Sequence, residues 1–351
     1  MQRISFSILI ALFAASCTAV PVQFDHRVVF DAGEKLGGCA IGDLSPDSGL
    51  EIAVVASSGA LRVVAEQDGS WKGTKVGDAS GEMIQVAVGD VWPQIGADEL
   101  VAVGMASGSE DSGGEGAVFV AGYDAQEKKY RMRPVFTDSA LVHAVAVADL
   151  DPVHPGDEAL VGGFSRNLTL LRFNAGAGAT AEKIGTTPAP AKGMVPFKSG
   201  VAVACNDGSL VLVERGPSGW TTRVAFRAPA GLARLAVSGD RILAAGDDGG
   251  LWLIEGDRGQ LLHDEELKLR GAVLSDLDPA VPGLEAATTG YGGDVTLLRD
   301  EGAIPWEGER LYHSRAGLHH LSLGELIDDA PGPELVTVGY AGEVVVIFRR
   351  R

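Results

Sequence analysis

Apolar residues along this chain come in short continuous runs of strand length, and the punctuation between the runs recurs. In DLDPVHPGDEALVGGFSRNLTLLRF (Asp149–Phe173) an acidic loop carrying Pro and Pro–Gly leads to a Glu. That Glu opens an apolar run, a Gly-containing turn follows, and a second apolar run closes the unit. The pattern returns as DLDPAVPGLEAATTGYGGDVTLL (Asp276–Leu298) and ELIDDAPGPELVTVGYAGEVVVI (Glu325–Ile347), with weaker copies starting at Asp43 and Asp90. No segment shows a helical period.

The Glu is a ruler: Glu51, Glu99, Glu158, Glu285 and Glu334, at intervals of 48, 59, 127 and 49 residues. The 59 contains an insertion rich in Gly and acid, Ser107–Gly116. The 127 divides into three intervals, which implies two degenerate units, visible at Met194–Glu214 and Leu235–Glu255. Seven units at this period predict an all-β, seven-bladed β-propeller. Each unit reads as four strands. Strand A precedes the acidic loop (Val145–Ala148, Leu321–Gly324), B follows the Glu (Leu335–Val338) and C follows the next turn (Val344–Phe348). Strand D is more polar and often entered by an aromatic: Trp71–Val76, Tyr130–Phe136, Trp220–Phe226, Trp306–Tyr312. Its polarity suits an outer edge, and its tryptophans read as blade packing. The last unit stops at strand C, while His26–Phe30 is an orphan resembling the D strand Thr222–Phe226. The N-terminal strand is therefore expected to complete the last blade and close the ring.

The skeleton of acidic loop, apolar strand, Gly turn and second strand resembles the VCBS/FG-GAP repeat of integrin-α-like propellers. The resemblance covers most of residues 24–351, although the fourth and fifth units keep only the strand pattern. It implies adhesion, partner recognition or carbohydrate binding, with some lyases in the family. It also implies calcium, held by carboxylates at positions 1, 3, 5 and 9 of the loop. The best loops offer Asp149, Asp151 and Asp157, with Val153 at position 5, and Asp43, Asp47 and Glu51, with Ser45 departing from the pattern. The other reading is that these carboxylates accept backbone N–H bonds and cap the A–B turns.

A net charge of −18 argues against a nucleic-acid partner. Residues 1–19 read as a signal peptide, with Arg3, an apolar Ile4–Ala15 and small residues after it. Ala14-Ala15-Ser16-Cys17 resembles a bacterial lipobox, so Cys17 is a candidate lipidation site; ordinary cleavage after Ala19 would discard it. Residues 20–351 then form a single propeller domain, exported and either tethered to the membrane at the cell envelope (outer membrane or surface) or periplasmic or secreted. Cys39 and Cys205 fall on the first and fourth blades and are expected to be buried and unpaired. Arg349–Arg351 reads as a solvated end.

Candidate chemistry gathers at two positions that should reach one mouth of the channel. Six residues before the acidic marker stand Gly37, Ile84, His143, Arg270 and His319, with Arg234 at the like place in the fifth blade. Six residues after the Glu ruler stand Ser57, Met105, Phe164, Tyr291 and Tyr340, with Arg166 close by. Arginine suits a carboxylate or phosphate, and the aromatics suit an apolar ring face. The expectation is a non-catalytic binding or scaffold module for a protein, carbohydrate or other anionic ligand. An extracytoplasmic enzyme, lyase-like or a metal-dependent oxidoreductase, is the alternative, with His143, His319 and His320 as candidate copper or zinc ligands, although His319 and His320, adjacent on a strand, should face opposite ways and not share one ion. A structural part of an envelope complex is a third.

Overall fold

The computed structural model describes residues 23–46, 49–93, 96–174, 178–278, 283–300, 302, 305–328 and 330–350. The signal segment, Cys17 and Asp47 lie outside them. The described residues form seven four-stranded antiparallel sheets. In chain order the blades span residues 36–78, 83–138, 142–186, 191–227, 232–264 and 269–313, and the seventh combines 318–349 with 24–31. Among the described residues no helix is long and apolar enough to cross a membrane.

The N-terminal strand Phe24–Asp31 pairs with Glu343–Arg349, Val28 opposite Val345, so the first strand of the chain is the outer strand of the last blade. The ring thus closes through ordinary ladder bonds, leaving no free inner edge. Arg349 is not a solvated end. It is buried, its guanidinium 3.2 Å from Asp278, and Arg350 pairs with Asp25 at 2.8 Å.

The strand pattern follows from burial. The B strands after each Glu, such as Glu158–Gly163 and Glu334–Gly339, are buried throughout, while D strands such as Gly178–Thr186 are largely exposed. Hydrophobic cores lie between adjacent blades: Leu61 and Val63 of blade one pack with Leu100 and Phe119 of blade two. Trp71 and Trp220 pack against such cores, and Trp306 is buried in one. Cys39 and Cys205 are both buried and free, and burial pushes each thiol up to about 12.

The five Glu residues of the ruler are buried at the first position of strand B. Each turns back to accept backbone N–H groups of its own A–B loop. Glu334 takes Leu326 at 2.6 Å and Ile327 at 3.2 Å, Glu285 takes Leu277 and Asp278, and Glu158 takes Leu150 and Asp151. Glu99 takes Trp92, and Glu51 takes Leu44 and the Ser45 hydroxyl. The repeat is therefore spaced by a capping carboxylate.

Candidate functional site: the channel mouth

Every inner strand begins with a bulge. The register shifts at Gly37, Ile84, His143, Lys192, Ala233, Arg270 and His319, one residue per blade. An extra residue at a bulge re-aims its side chain. A second ring stands over the first, because the residue that follows each B strand (in blade two, its last residue) donates its N–H to the carbonyl two residues before the bulge. These bonds are Ser57 to Lys35, Met105 to Glu82, Phe164 to Leu141, Asn206 to Pro190, Asp247 to Gly231, Tyr291 to Lys268 and Tyr340 to Gly317. The two positions read from the sequence are these two rings. Lys192, Asn206 and Asp247 were missed.

The side chains of the two rings form connected clusters. Tyr291 and Tyr340 meet hydroxyl to hydroxyl at 3.1 Å, and His319 packs against both, its ring 6.1 and 5.5 Å from theirs. Arg270 lies over the Tyr291 ring at 4.8 Å and pairs with Asp247 at 2.5 Å. Lys35 lies over Tyr340 at 4.6 Å. In blades three and four, His143 packs on Phe164, and the Lys192 ammonium sits over Phe164 at 5.0 Å. Phe164 and Tyr340 remain more than a third exposed, at 39% and 38%, so both present ring surface at the mouth.

Arg234 corrects the sequence reading by one position. Ala233 is the bulge residue, and Arg234 enters the channel below the ring. Its guanidinium donates to the carbonyls of Lys192 at 2.7 Å and Ala233 at 3.1 Å. With the Gln85 amide turned to face it, Arg234 Nε reaches Gln85 Oε1 at 2.8 Å, and the amide donates to the His143 carbonyl. Blade five is thus linked across the channel to blade two. Among the described residues the Arg234 guanidinium bonds to backbone carbonyls and the Gln85 amide and forms no ion pair, and burial, then Arg270, lowers it to about 9. Below it the channel continues as a cavity of about 400 Å³ lined by Ile41, Val88, Val147, Val237 and Leu323.

Electrostatics separates the ionised groups from the neutral ones. Burial lowers both His143 and His319, the latter to about 3, with Arg234 adding to each. Both are neutral imidazoles, donating Nδ1–H to the carbonyls of Lys192 (3.0 Å) and Gly37 (2.8 Å). Burial alone would lower Arg270, but Asp247 and Tyr291 outweigh it and hold it above its ordinary value. The cations of the inner strands are Lys192, which burial lowers, Arg234 and Arg270, with Lys35 beside them over Tyr340.

One expectation is not met as drawn, while the two adjacent histidines face apart as strand neighbours should. Arg166 lies in the B–C turn of blade three at φ +63° with its side chain exposed, outside the aromatic and cationic contacts above. His319 and His320 point apart, His320 toward Cys39 (3.5 Å) and Ser322 (3.4 Å).

The loops compared with calcium sites are organised by other charges. Asp151 is held by Arg172 at 2.9 Å from its own blade and by Arg215 at 2.5 Å from the next. Asp157 instead accepts the Asp90 N–H at 3.1 Å across the seam between blades two and three, and Asp98 accepts the Asp43 N–H likewise. Asp149 is exposed. Among the described residues no group of three or more His, Cys, Asp or Glu is placed to hold a metal ion.

Fold and mouth together define a seven-bladed β-propeller with a cationic, aromatic channel entrance. The chain matches no family model and no curated protein. Among solved structures it is similar to the WD40 β-propeller domain of Doa1, at 13% identity over 93% of this chain and 97% of that one, with a TM-score of 0.63. It is also similar to the WD40 repeats of RRP9, at 13% identity over 93% and 98%, with a TM-score of 0.65. At that identity the likeness is one of fold.

Proposed function

We propose that this is a non-catalytic recognition propeller whose channel mouth binds an acidic peptide segment of a protein partner. Arg234 carries the reading. It is a buried guanidinium that forms no ion pair among the described residues, and it lies beneath Lys192 and Arg270 on a chain of net charge −18. A buried cation gains most from an anion that arrives with the ligand. Phe164 and Tyr340 supply exposed ring faces for the flanking side chains. The reading also places the domain outside the cytoplasm, tethered through Cys17. Radiolabelled palmitate incorporation that Cys17→Ser leaves unchanged would remove that tether.

The test is fluorescence anisotropy with labelled acidic, neutral and basic peptides and with uronate oligosaccharides. Acidic peptides are expected to bind best and to weaken with salt, and Arg270→Ala and Tyr340→Ala to cost roughly tenfold each. A preference for basic or neutral ligands, or indifference to Arg270→Ala, would refute the proposal.

A further inference from the structure

The blade-two insertion reaches over this mouth. It leaves strand B at Met105 and enters strand C at Gly116, and it is pinned at its base. Ala106 donates to the Glu115 carbonyl at 2.8 Å and Glu82 to the Gly108 carbonyl at 2.7 Å, while Glu110 donates to the Glu82 carboxylate at 3.0 Å. A short 3₁₀ turn, Glu110–Ser112, forms the tip. From there the Glu110 carboxylate lies 3.4 Å from the Lys192 ammonium, two blades away. Its negative charge also acts on Arg234 of blade five and Tyr340 of blade seven. A group from blade two that is felt in blades four, five and seven stands over the channel.

We infer that Glu110 is an internal stand-in for the ligand's carboxylate, held over the mouth by the insertion and displaced when an acidic ligand docks. The inference rests on the proposed mouth and narrows it: the anion recognised is a carboxylate. Three features support displacement. The Glu110–Lys192 contact is a single ion pair, with Glu110 40% exposed, so little free energy holds it. The insertion is held to Glu82 and Glu115 of its own blade through backbone groups, the Glu110 N–H included, so the Glu110 carboxylate can swing off Lys192 by side-chain rotation while those bonds stay made. Lys192 is the better-buried partner, at 14% exposure, and stays in place on the inner strand Ala191–Phe197 with its ammonium over the Phe164 ring.

An internal competitor lowers apparent affinity by the fraction of time that it occupies the site. The probe is a fluorescein-labelled hexaglutamate peptide, titrated by anisotropy into the full chain. Glu110→Ala is expected to bind it about tenfold more tightly than wild type, and Glu110→Gln to gain most of that. The Glu110→Ala/Lys192→Ala double variant should lose the gain. Equal affinities for wild type and Glu110→Ala, with Arg270→Ala weakened, would overturn the stand-in and leave the mouth as the site. Binding that is indifferent to Glu110, Lys192 and Arg270 alike would overturn both. A gain with a hexaphosphoserine probe but not with hexaglutamate would overturn the assignment to a carboxylate.

Discussion

His319 of blade seven donates its Nδ1–H to the Gly37 carbonyl of blade one at 2.8 Å, repeating across the closing seam the bond that His143 of blade three makes to the Lys192 carbonyl of blade four. In each case the side chain of one bulge satisfies the backbone of the next. The two histidines are thus ring joints whose outer edges also face the mouth.

His319→Ala should lower unfolding stability by about 1–3 kcal/mol, the cost of leaving a buried carbonyl unpaired. Deleting residues 24–33 removes the whole outer strand of the same blade and should abolish cooperative unfolding. Urea titrations followed by tryptophan fluorescence distinguish the two. A deletion variant that still melts in one sharp transition would show that the ring does not depend on its N-terminal strand.

The seam between blades two and three makes a second demand. Gly89 ends the inner strand of blade two, where an added Cβ would lie 2.4 Å from Val147 Cγ1 and 2.7 Å from Asp157 Oδ2. Asp157 must stay close enough to accept the Asp90 N–H, so it cannot retreat. Gly89→Ala is expected to cost about 1–3 kcal/mol by overpacking. An unchanged urea midpoint would mean that the seam is looser than its contacts.

The blade number, the closing strand and most of both rings were legible in the sequence, because the capping Glu fixes where strand B starts and hence where it ends. Blades four and five lack that Glu; their B strands begin at Gly200 and Arg241. Lys192, Asn206 and Asp247 were hidden for that reason. The signal present was the turn that follows, Asn206-Asp207-Gly208 and Asp247-Asp248-Gly249, whose first residue is the ring position. Arg234 was misplaced because Asp240 is a turn residue with no capping role, one position off register. The reach of Glu110 to Lys192 depends on loop conformation, which no spacing encodes.

Asp151 and Asp278, at like places in the A–B loops of blades three and six, are each shared by two guanidiniums. Asp278 pairs with Arg349 of the next blade at 3.2 Å and lies 3.9 Å from Arg299 of its own, as Asp151 does with Arg215 and Arg172. Two guanidiniums bring to each loop the charge of one divalent cation. Asp151→Ala should therefore destabilise by about 1–3 kcal/mol, since two arginines lose a shared, mostly buried partner. EDTA should leave the melting temperature unchanged. Stoichiometric calcium in the purified protein, with a melting point that falls on chelation, would reverse this reading.

The capping glutamates give stability a pH dependence whose sign can be worked out. Burial raises Glu99 from 4.5 to about 8 and Glu158 from 4.5 to about 7, against the backbone N–H bonds that pull each down. Between those values and 4.5 the native state keeps protons that the unfolded chain has released, so stability falls as pH rises. Each such proton contributes a slope of about 1.4 kcal/mol per pH unit. His143, His319 and His320 act oppositely. Burial lowers all three from 6.5, so below that pH the unfolded chain binds protons that the native state refuses. The two effects offset each other at lower pH, but above about 6.5 the histidines are neutral in both states. The window from 6.5 to 8 therefore belongs mainly to Glu99, joined by Glu158 at its lower end. Urea midpoints should drop across it in the wild type. Glu99→Gln keeps an acceptor for the Trp92 N–H and removes the proton, so its midpoints should be nearly flat there. A wild-type slope that survives undiminished in Glu99→Gln would show that Glu99 is not its source.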